Sequence, residues 1–346
     1  MQTGHRYVII GAGAIGGCLG GVLARARVPA VLVARGRNAE VLASVGLTLR
    51  TPDGTYDVPV EVAARPEDVR LTERDVLVFT TKTQQLDAAL RQWVDQPVSG
   101  TTASAGECLP ALTALNGVAA EELALRYFAR VYGVCVWCPA VHVEPGEVVV
   151  GSWPTVGQFH VARWPATLAT EADGALLAGL SDEWNAAGVN VRTPDDVAPW
   201  KYNKLLSNLN NVIGALSAAD ADVSDIRSAV RAEGIDVLRA AGLDFVSFET
   251  STAARADGPT PRHVPGAEGL PGDSTSQSLS RHTGNVETDY LNGEIVRIAH
   301  RHGLSAPLNA ALTRAARAAV EHGHGPGGYT AQELAELVGV HVGQRL

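Results

Sequence analysis

Tyr7-Val8-Ile9-Ile10-Gly11-Ala12-Gly13-Ala14-Ile15-Gly16-Gly17 decides the fold. Val8, Ile9 and Ile10 form an unbroken apolar run, the pattern of a central parallel strand buried on both faces. Gly11, Gly13 and Gly16 follow at the G-x-G-x-x-G spacing. The first permits a tight turn, the second lets backbone approach a pyrophosphate, and the third lets a new helix pack against the strand. The amide donors and dipole at that helix's N-terminus favour phosphate. Gly11, Ala12, Gly13, Ala14, Ile15 and Gly16 are therefore the candidate dinucleotide-binding residues, and the strand-turn-helix context separates them from a glycine turn without a ligand.

Outward from this stretch, Cys18 to Arg27 reads as the first helix and Pro29 to Arg35 as the second parallel strand. An acid at the end of that strand suits NAD, whereas an arginine accommodates the extra phosphate of NADP. Arg35, Gly36 and Arg37 stand there without an acid, so NADP(H) is the expected cofactor and Arg35 its phosphate contact. Asp75 to Lys82 is a further buried strand ending in polar residues. Thr81 and Lys82, at its carboxyl end, are candidates to face cofactor or substrate, although a lysine at a strand exit also serves as a solvated charge. An Asn116-Gly117 turn precedes a helical Glu121-to-Phe128 segment. Short strands at Val131 to Val136, Glu147 to Val150 and Val156 to Val161, a Thr170-to-Ala187 helix and a Val189-to-Val191 strand are expected to extend the same sheet.

The chain has 346 residues, more than one hydrophobic core ordinarily serves, so two domains are expected. The boundary falls near Asp195, where the character changes to long helices. Residues 1–194 read as an α/β, Rossmann-type doubly wound domain and 195–346 as an all-α domain, with Asp195 or Asp196 capping its first helix and Pro199 in the opening turn. A formal net charge of −9 without any cluster of Lys and Arg argues against nucleic acid or an anionic membrane as the main partner. No apolar run approaches a membrane span, and Met1 to Arg6 lead straight into the first strand, leaving no room for a signal peptide. A cytoplasmic protein acting on a small molecule is the expectation. Cys135-Val136-Trp137-Cys138 has the spacing of a redox motif or half a zinc site, but no second pair completes four ligands. Both read as buried strand cysteines, and no metal is expected.

In the helix beginning near Pro199, Lys204, Asn208 and Asn211 recur at i, i+4 and i+7, bordered by Leu205, Leu206, Leu209, Val212, Ile213 and Leu216. The row reads as a polar wall lining a cleft, the other reading being a helix edge meeting solvent. Pro259, Pro261, Pro265 and Pro271 make Ser251 to Asp273 a loop, either lid or disordered. Val286, Leu291, Ile295 and Ile298 keep helical spacing, so Glu287 stands at the start of a helix ending near Gly303, as a functional acid or as a first-turn acid favoured by the dipole. The apolar Leu334-to-Val338 stretch serves either a homodimer interface or an internal core.

With these pieces assembled, the chain resembles the ketopantoate reductase (2-dehydropantoate 2-reductase) family over nearly its full length. The resemblance rests on Gly11 to Gly17, Thr81-Lys82-Thr83, Asn116-Gly117-Val118, Lys204-Leu205-Leu206-Ser207-Asn208 and Glu287-Thr288-Asp289-Tyr290-Leu291-Asn292-Gly293-Glu294. It implies that Lys204 is the general acid for a substrate carbonyl oxygen and that Glu287 helps hold substrate and cofactor. Asn116, Asn208 and Ser274 would orient substrate or nicotinamide, with Asn211 beside them on the polar row. Two departures bear on the substrate. Val212 stands where pantoate-forming members commonly carry another Asn, and the Ser274-to-Glu287 segment is one residue longer. Ketopantoate is the leading substrate, followed by another 2-oxo acid, a ketone or an imine. The reading from a different class is an NADP(H)-binding sensor whose second domain docks a protein.

Overall fold

The computed structural model describes residues 4–270, 287–322 and 327–340. They fall into two compact units. The first comprises residues up to Leu115, Ala120–Ala198 and Phe248–Gly269; the second comprises Asn116–Ala119, Pro199–Ser247 and the described residues from Leu270 on.

The first unit is built on an eight-stranded sheet whose strands, in chain order, are β1 (Arg6–Ile10), β2 (Ala30–Val33), β3 (Glu61–Ala63), β4 (Asp75–Phe79), β5 (Pro110–Thr113), β6 (Arg130–Trp137), β7 (Gly157–Trp164) and β8 (Val189–Arg192). Their spatial order is β8-β7-β6-β5-β4-β1-β2-β3. The strands from β3 to β6 run parallel, and β7 turns antiparallel to β6 with β8 alongside it. Val8, Ile9 and Ile10 are buried because β1 is flanked by β2 and β4 and covered on both faces. Arg6 pins the register at the amino end, donating from Nε and Nη2 to the buried Asp75 carboxylate at 2.6 and 2.8 Å.

Helix α1 (Ala14–Arg25) starts four residues earlier than the sequence reading places it, because the glycine turn feeds it directly. It lies between two sheets. A Cβ on Gly20 would sit 2.5 Å from Leu32 of the large sheet, and one on Gly21 would sit 2.7 Å from Leu47. Leu47 belongs to a separate four-stranded sheet of Leu47–Thr51, Gly54–Val58, Ala140–His142 and Glu147–Val150. Glu147–Val150 therefore does not extend the main sheet as expected; it pairs in parallel with Leu47–Thr51. Helices α2 (Gly36–Ser44), α3 (Thr83–Val94) and α4 (Glu171–Ala186) complete the layers around the large sheet.

Two further expectations change. Cys135 is buried in β6, but Cys138 lies just beyond the strand and is only half-buried. The second unit's helices are α5 (Ala198–Asn208), α6 (Asn211–Leu216), α7 (Ser224–Ala240), α9 (Asn292–Arg301), α10 (Pro307–Glu321) and α11 (Ala331–Val338); α8 (Phe248–Ala254), which runs into the stretch expected as loop from Ser251, belongs to the first unit. The prolines that suggested a loop begin only at Pro259, past the end of α8. Beyond α8 the chain is bound down on its own unit. Arg262 N donates to Gly151 O at 2.7 Å, and Arg50 Nη2 donates to Pro265 O at 2.8 Å. Of the two candidate caps for α5, Asp196 is the one that accepts from Ala198 N, at 2.8 Å. Leu334, Ala335 and Val338 are buried within the chain itself. No helix among the described residues is long and apolar enough to cross a membrane.

Candidate active site

In the first unit the glycine turn has the geometry its spacing demands. Gly11 takes φ +110°, a conformation that residues with a side chain rarely adopt. Gly11 N donates to Val33 O at 3.0 Å, and Thr80 Oγ1 donates to Gly11 O at 2.6 Å, locking the turn between β2 and the end of β4. A Cβ on Gly16 would fall 2.1 Å from Gly11 O and 2.4 Å from Thr80 Oγ1, so only glycine lets α1 pass this close to the strand. A Cβ on Gly13 would meet nothing within 4 Å, which leaves open space above the turn where backbone can face a ligand. Among the described residues no side chain caps α1, so its first amides point out at a helix N-terminus. Thr81 Oγ1 is shut off from water and has no hydrogen-bond partner among the described residues. A polar ligand oxygen would satisfy it. Lys82 is half-buried at the N-cap of α3, and Arg35 is exposed two residues past the end of β2.

Sequence reasoning missed the residue that braces this turn. Asn38 Nδ2 donates to Ala12 O at 2.9 Å while its Oδ1 accepts from Gly146 N at 2.8 Å, tying the turn to the second sheet. Its partners lie 26 and 108 residues away, and no local pattern announces either.

In the second unit the expected single helical row is broken. Helix α5 ends at Asn208 and α6 begins at Asn211, although Asn210 keeps a right-handed backbone at φ −82° and ψ −12°. Lys204 and Asn208 share α5, while Asn211 opens the next helix. The interruption leaves the Leu209 carbonyl to Asn292, whose buried Nδ2 donates to it at 3.1 Å and to Asn309 Oδ1 at 2.9 Å. Asn309 is held in turn by Glu233, which accepts from Asn309 Nδ2 at 2.8 Å and from the amides of Leu308 and Asn309 at 2.9 Å, capping α10. This network fixes the end of α5 against α7, α9 and α10. Asn208 is 9 % exposed, and its Nδ2 has no hydrogen-bond partner among the described residues. Lys204, one turn earlier, is half-buried, and Lys201 is fully buried at 2 % exposure.

The second unit also joins two of the predicted pieces. Gly117 adopts φ +77°, and a Cβ there would lie 2.7 Å from Tyr290 O, so the Asn116-Gly117 turn rests on the Glu287–Tyr290 segment. That segment is a separate 3-10 turn, with α9 starting only at Asn292. Glu287 is therefore not a first-turn acid of the long helix; that place belongs to Glu294, which pairs with Arg297. Glu287 is 5 % exposed, a cost a carboxylate does not bear without a use for its charge or hydrogen bonds. Ser274 lies outside the described residues.

With this geometry in view, the chain matches the family description "Ketopantoate reductase PanE/ApbA" over residues 7–164 and its C-terminal counterpart over residues 196–320. The chain belongs to the ketopantoate reductase family. Within this oxidoreductase family it is 25 % identical to the 2-dehydropantoate 2-reductase of Pyrococcus horikoshii, covering 89 % of this chain and 95 % of that protein. It is 28 % identical to that of Caulobacter vibrioides, covering 90 % and 98 %. A crystal structure of a PanE/ApbA family ketopantoate reductase from Ralstonia eutropha superposes with a TM-score of 0.70 at 26 % identity, over 92 % of this chain and 99 % of the other. D-mandelate dehydrogenase in a complex with NADH and anilino(oxo)acetate shares the fold, with a TM-score of 0.72 at 18 % identity. These relatives span both units, so membership in the ketopantoate reductase family covers the glycine turn and the Lys204–Asn208 helix alike.

Proposed function

We propose that this protein is an NADPH-dependent reductase that transfers hydride to the carbonyl of a small 2-oxo acid, foremost 2-dehydropantoate, giving pantoate. The observation that carries the reading is Asn208 Nδ2, a buried amide donor one turn from Lys204 with no hydrogen-bond partner among the described residues. A buried donor left unmade costs about 1–3 kcal/mol, and a carbonyl or carboxylate oxygen of a substrate would recover it. The open space over Gly13 and the lone Thr81 hydroxyl fit a dinucleotide on the first unit. The first unit then serves as the cofactor domain and the second as the substrate domain.

The nicotinamide, when bound, supplies the hydride. Gly11, Ala12, Gly13, Ala14, Ile15 and Gly16 would hold its pyrophosphate, Arg35 would take the 2′-phosphate, and Thr81, Lys82 and Asn116 would each offer it a polar contact. Lys204, as ammonium, donates a hydrogen bond to the carbonyl oxygen and then a proton as alkoxide charge develops. Asn208, Asn211 and Ser274 orient the acid, and Glu287 helps hold both ligands. Orientation and charge stabilisation are the protein's share of the work.

Purified protein should oxidise NADPH with ketopantoate, saturably, at roughly 10⁴ M⁻¹s⁻¹ or better. Lys204→Ala should lower turnover at least about a hundredfold, the range of general-acid effects, with NADPH affinity retained; unchanged turnover removes Lys204 from the mechanism. Val212, buried where many members carry a polar amide, favours a second reading in which the substrate is another 2-oxo acid, ketone or imine. NADPH binding without turnover of any such carbonyl or imine would leave a cofactor-sensing protein instead. We assign the protein to the cytoplasm, with a small molecule as its partner.

A further inference from the structure

Cys18 and Cys138 come from opposite parts of the first unit's sequence and meet sulfur to sulfur. Cys138 Sγ donates to Cys18 Sγ at 3.7 Å. Cys18 lies in the second turn of α1, two residues past Gly16, and is fully buried in the core that α1 shares with the two sheets. Cys138 follows β6 directly and is half-buried, the less buried of the two cysteines. Gly157 leaves room for it, since a Cβ at that position would stand 3.0 Å from Cys138 Cβ. A disulfide bond is about 2.05 Å long, so closing this pair asks for rotamer changes and a small shift rather than refolding.

We propose that Cys18 and Cys138 form a redox-modified pair that closes to an intramolecular disulfide with a low-molecular-weight disulfide such as oxidised glutathione, weakening dinucleotide binding through α1. The Cys138 thiol loses its proton, and its sulfur attacks one sulfur of the oxidant, breaking that S–S bond and releasing one thiol. Cys18 then loses its proton and attacks the Cys138 sulfur, expelling the second thiol. Two protein thiols are oxidised, one disulfide is reduced to two thiols, and the two protons pass to the leaving thiolates. Cys138 is the less buried of the two, and the neighbouring Cys138 sulfur followed by burial pushes the Cys18 thiol well up, so Cys138 reacts first and Cys18 is the resolving partner. Closure draws the second turn of α1 toward the end of β6. Gly16, on the preceding turn, is already in closest approach to Gly11 O and Thr80 Oγ1, so the glycine turn has no slack to absorb the pull. The consequence for affinity rests on the dinucleotide reading given above; the pairing itself does not.

The test treats the native full-length chain with oxidised glutathione, blocks free thiols, and maps the peptides by mass spectrometry while NADPH affinity is titrated in parallel. A peptide pair joined through Cys18 and Cys138, reversed by dithiothreitol, and an NADPH dissociation constant at least tenfold higher in the oxidised form are expected. C138A should abolish the joined peptide and keep its affinity through the same treatment. Glutathione retained on Cys138 or Cys108 without a Cys18–Cys138 peptide would overturn the pairing, and a joined peptide with unchanged affinity would overturn the coupling. Should the reduced protein fail to bind NADPH, the dinucleotide reading and the coupling fail, while the peptide map still decides the pairing.

Discussion

Arg35 illustrates how much one side chain can decide. It stands exposed just past β2, and Gly36 beside it takes φ +56°, turning the chain into α2. On the proposed reading a guanidinium at this point would discriminate by charge and fork geometry, since a 2′-phosphate offers it two strong acceptors and a ribose hydroxyl offers none of comparable strength. Arg35→Ala should therefore weaken NADPH by about 1.5–3 kcal/mol, the scale of a charge-assisted contact, and leave NADH within about twofold. Equal losses for the two cofactors, measured by fluorescence titration, would take Arg35 out of phosphate recognition. The glycines were legible at this scale because their roles follow from missing atoms. Asn38 was not, since its carboxamide acts on backbone groups that only the folded chain brings near.

At the level of elements, the break between α5 and α6 shapes the second unit's polar face. An uninterrupted helix would place Asn211 on the Lys204 row; the interruption at Leu209 and Asn210 instead frees a carbonyl and lets Asn292 capture it. Asn292→Ala would leave the buried Leu209 carbonyl and Asn309 Oδ1 without this donor, at about 1–3 kcal/mol per orphaned group. Urea denaturation should show a loss of about 2–6 kcal/mol on the same basis, with weaker substrate saturation as the end of α5 loosens. A loss below about 0.5 kcal/mol, ordinary for surface changes, would mean that water or a neighbour replaces the amide. The leucines flanking Lys204 predicted a packed helix correctly, and Leu205, Leu206 and Leu209 are buried. The break itself has no glycine or proline to signal it.

Across the molecule, stability and pH are coupled through a histidine that plays no part in the proposed reaction. His160 is 1 % exposed on β7, and burial, followed by the charges of Arg192 and Arg255, lowers its pKa from 6.5 to about 4. Between those values the unfolded chain binds a proton that the folded chain refuses, so stability is complete above pH 6.5 and declines as pH falls toward 4. The loss from this group approaches about 3 kcal/mol at the acid end. Denaturation midpoints of wild type and His160→Phe, compared from pH 7.5 down to pH 4.5, should show the steeper fall in wild type; parallel curves would show that His160 charges without penalty in the folded protein.

The sequence by itself determined the α/β unit followed by helices, the glycine turn, the arginine after the second strand and the lysine-bearing helix. These depend on local periodicity, on what a missing Cβ allows, and on short spacings that survive in one dimension. Only the tertiary structure decided that Glu147–Val150 joins a second sheet behind α1, that α8 and the following segment belong to the first unit, and that Glu287 sits in its own turn beneath Asn116-Gly117. It also decided the meeting of Cys18 and Cys138 across 120 residues. Strand partners, bracing amides and paired thiols are chosen by which buried surfaces and unsatisfied polar groups meet when the chain folds, and that choice is made between residues too far apart for any local pattern to record.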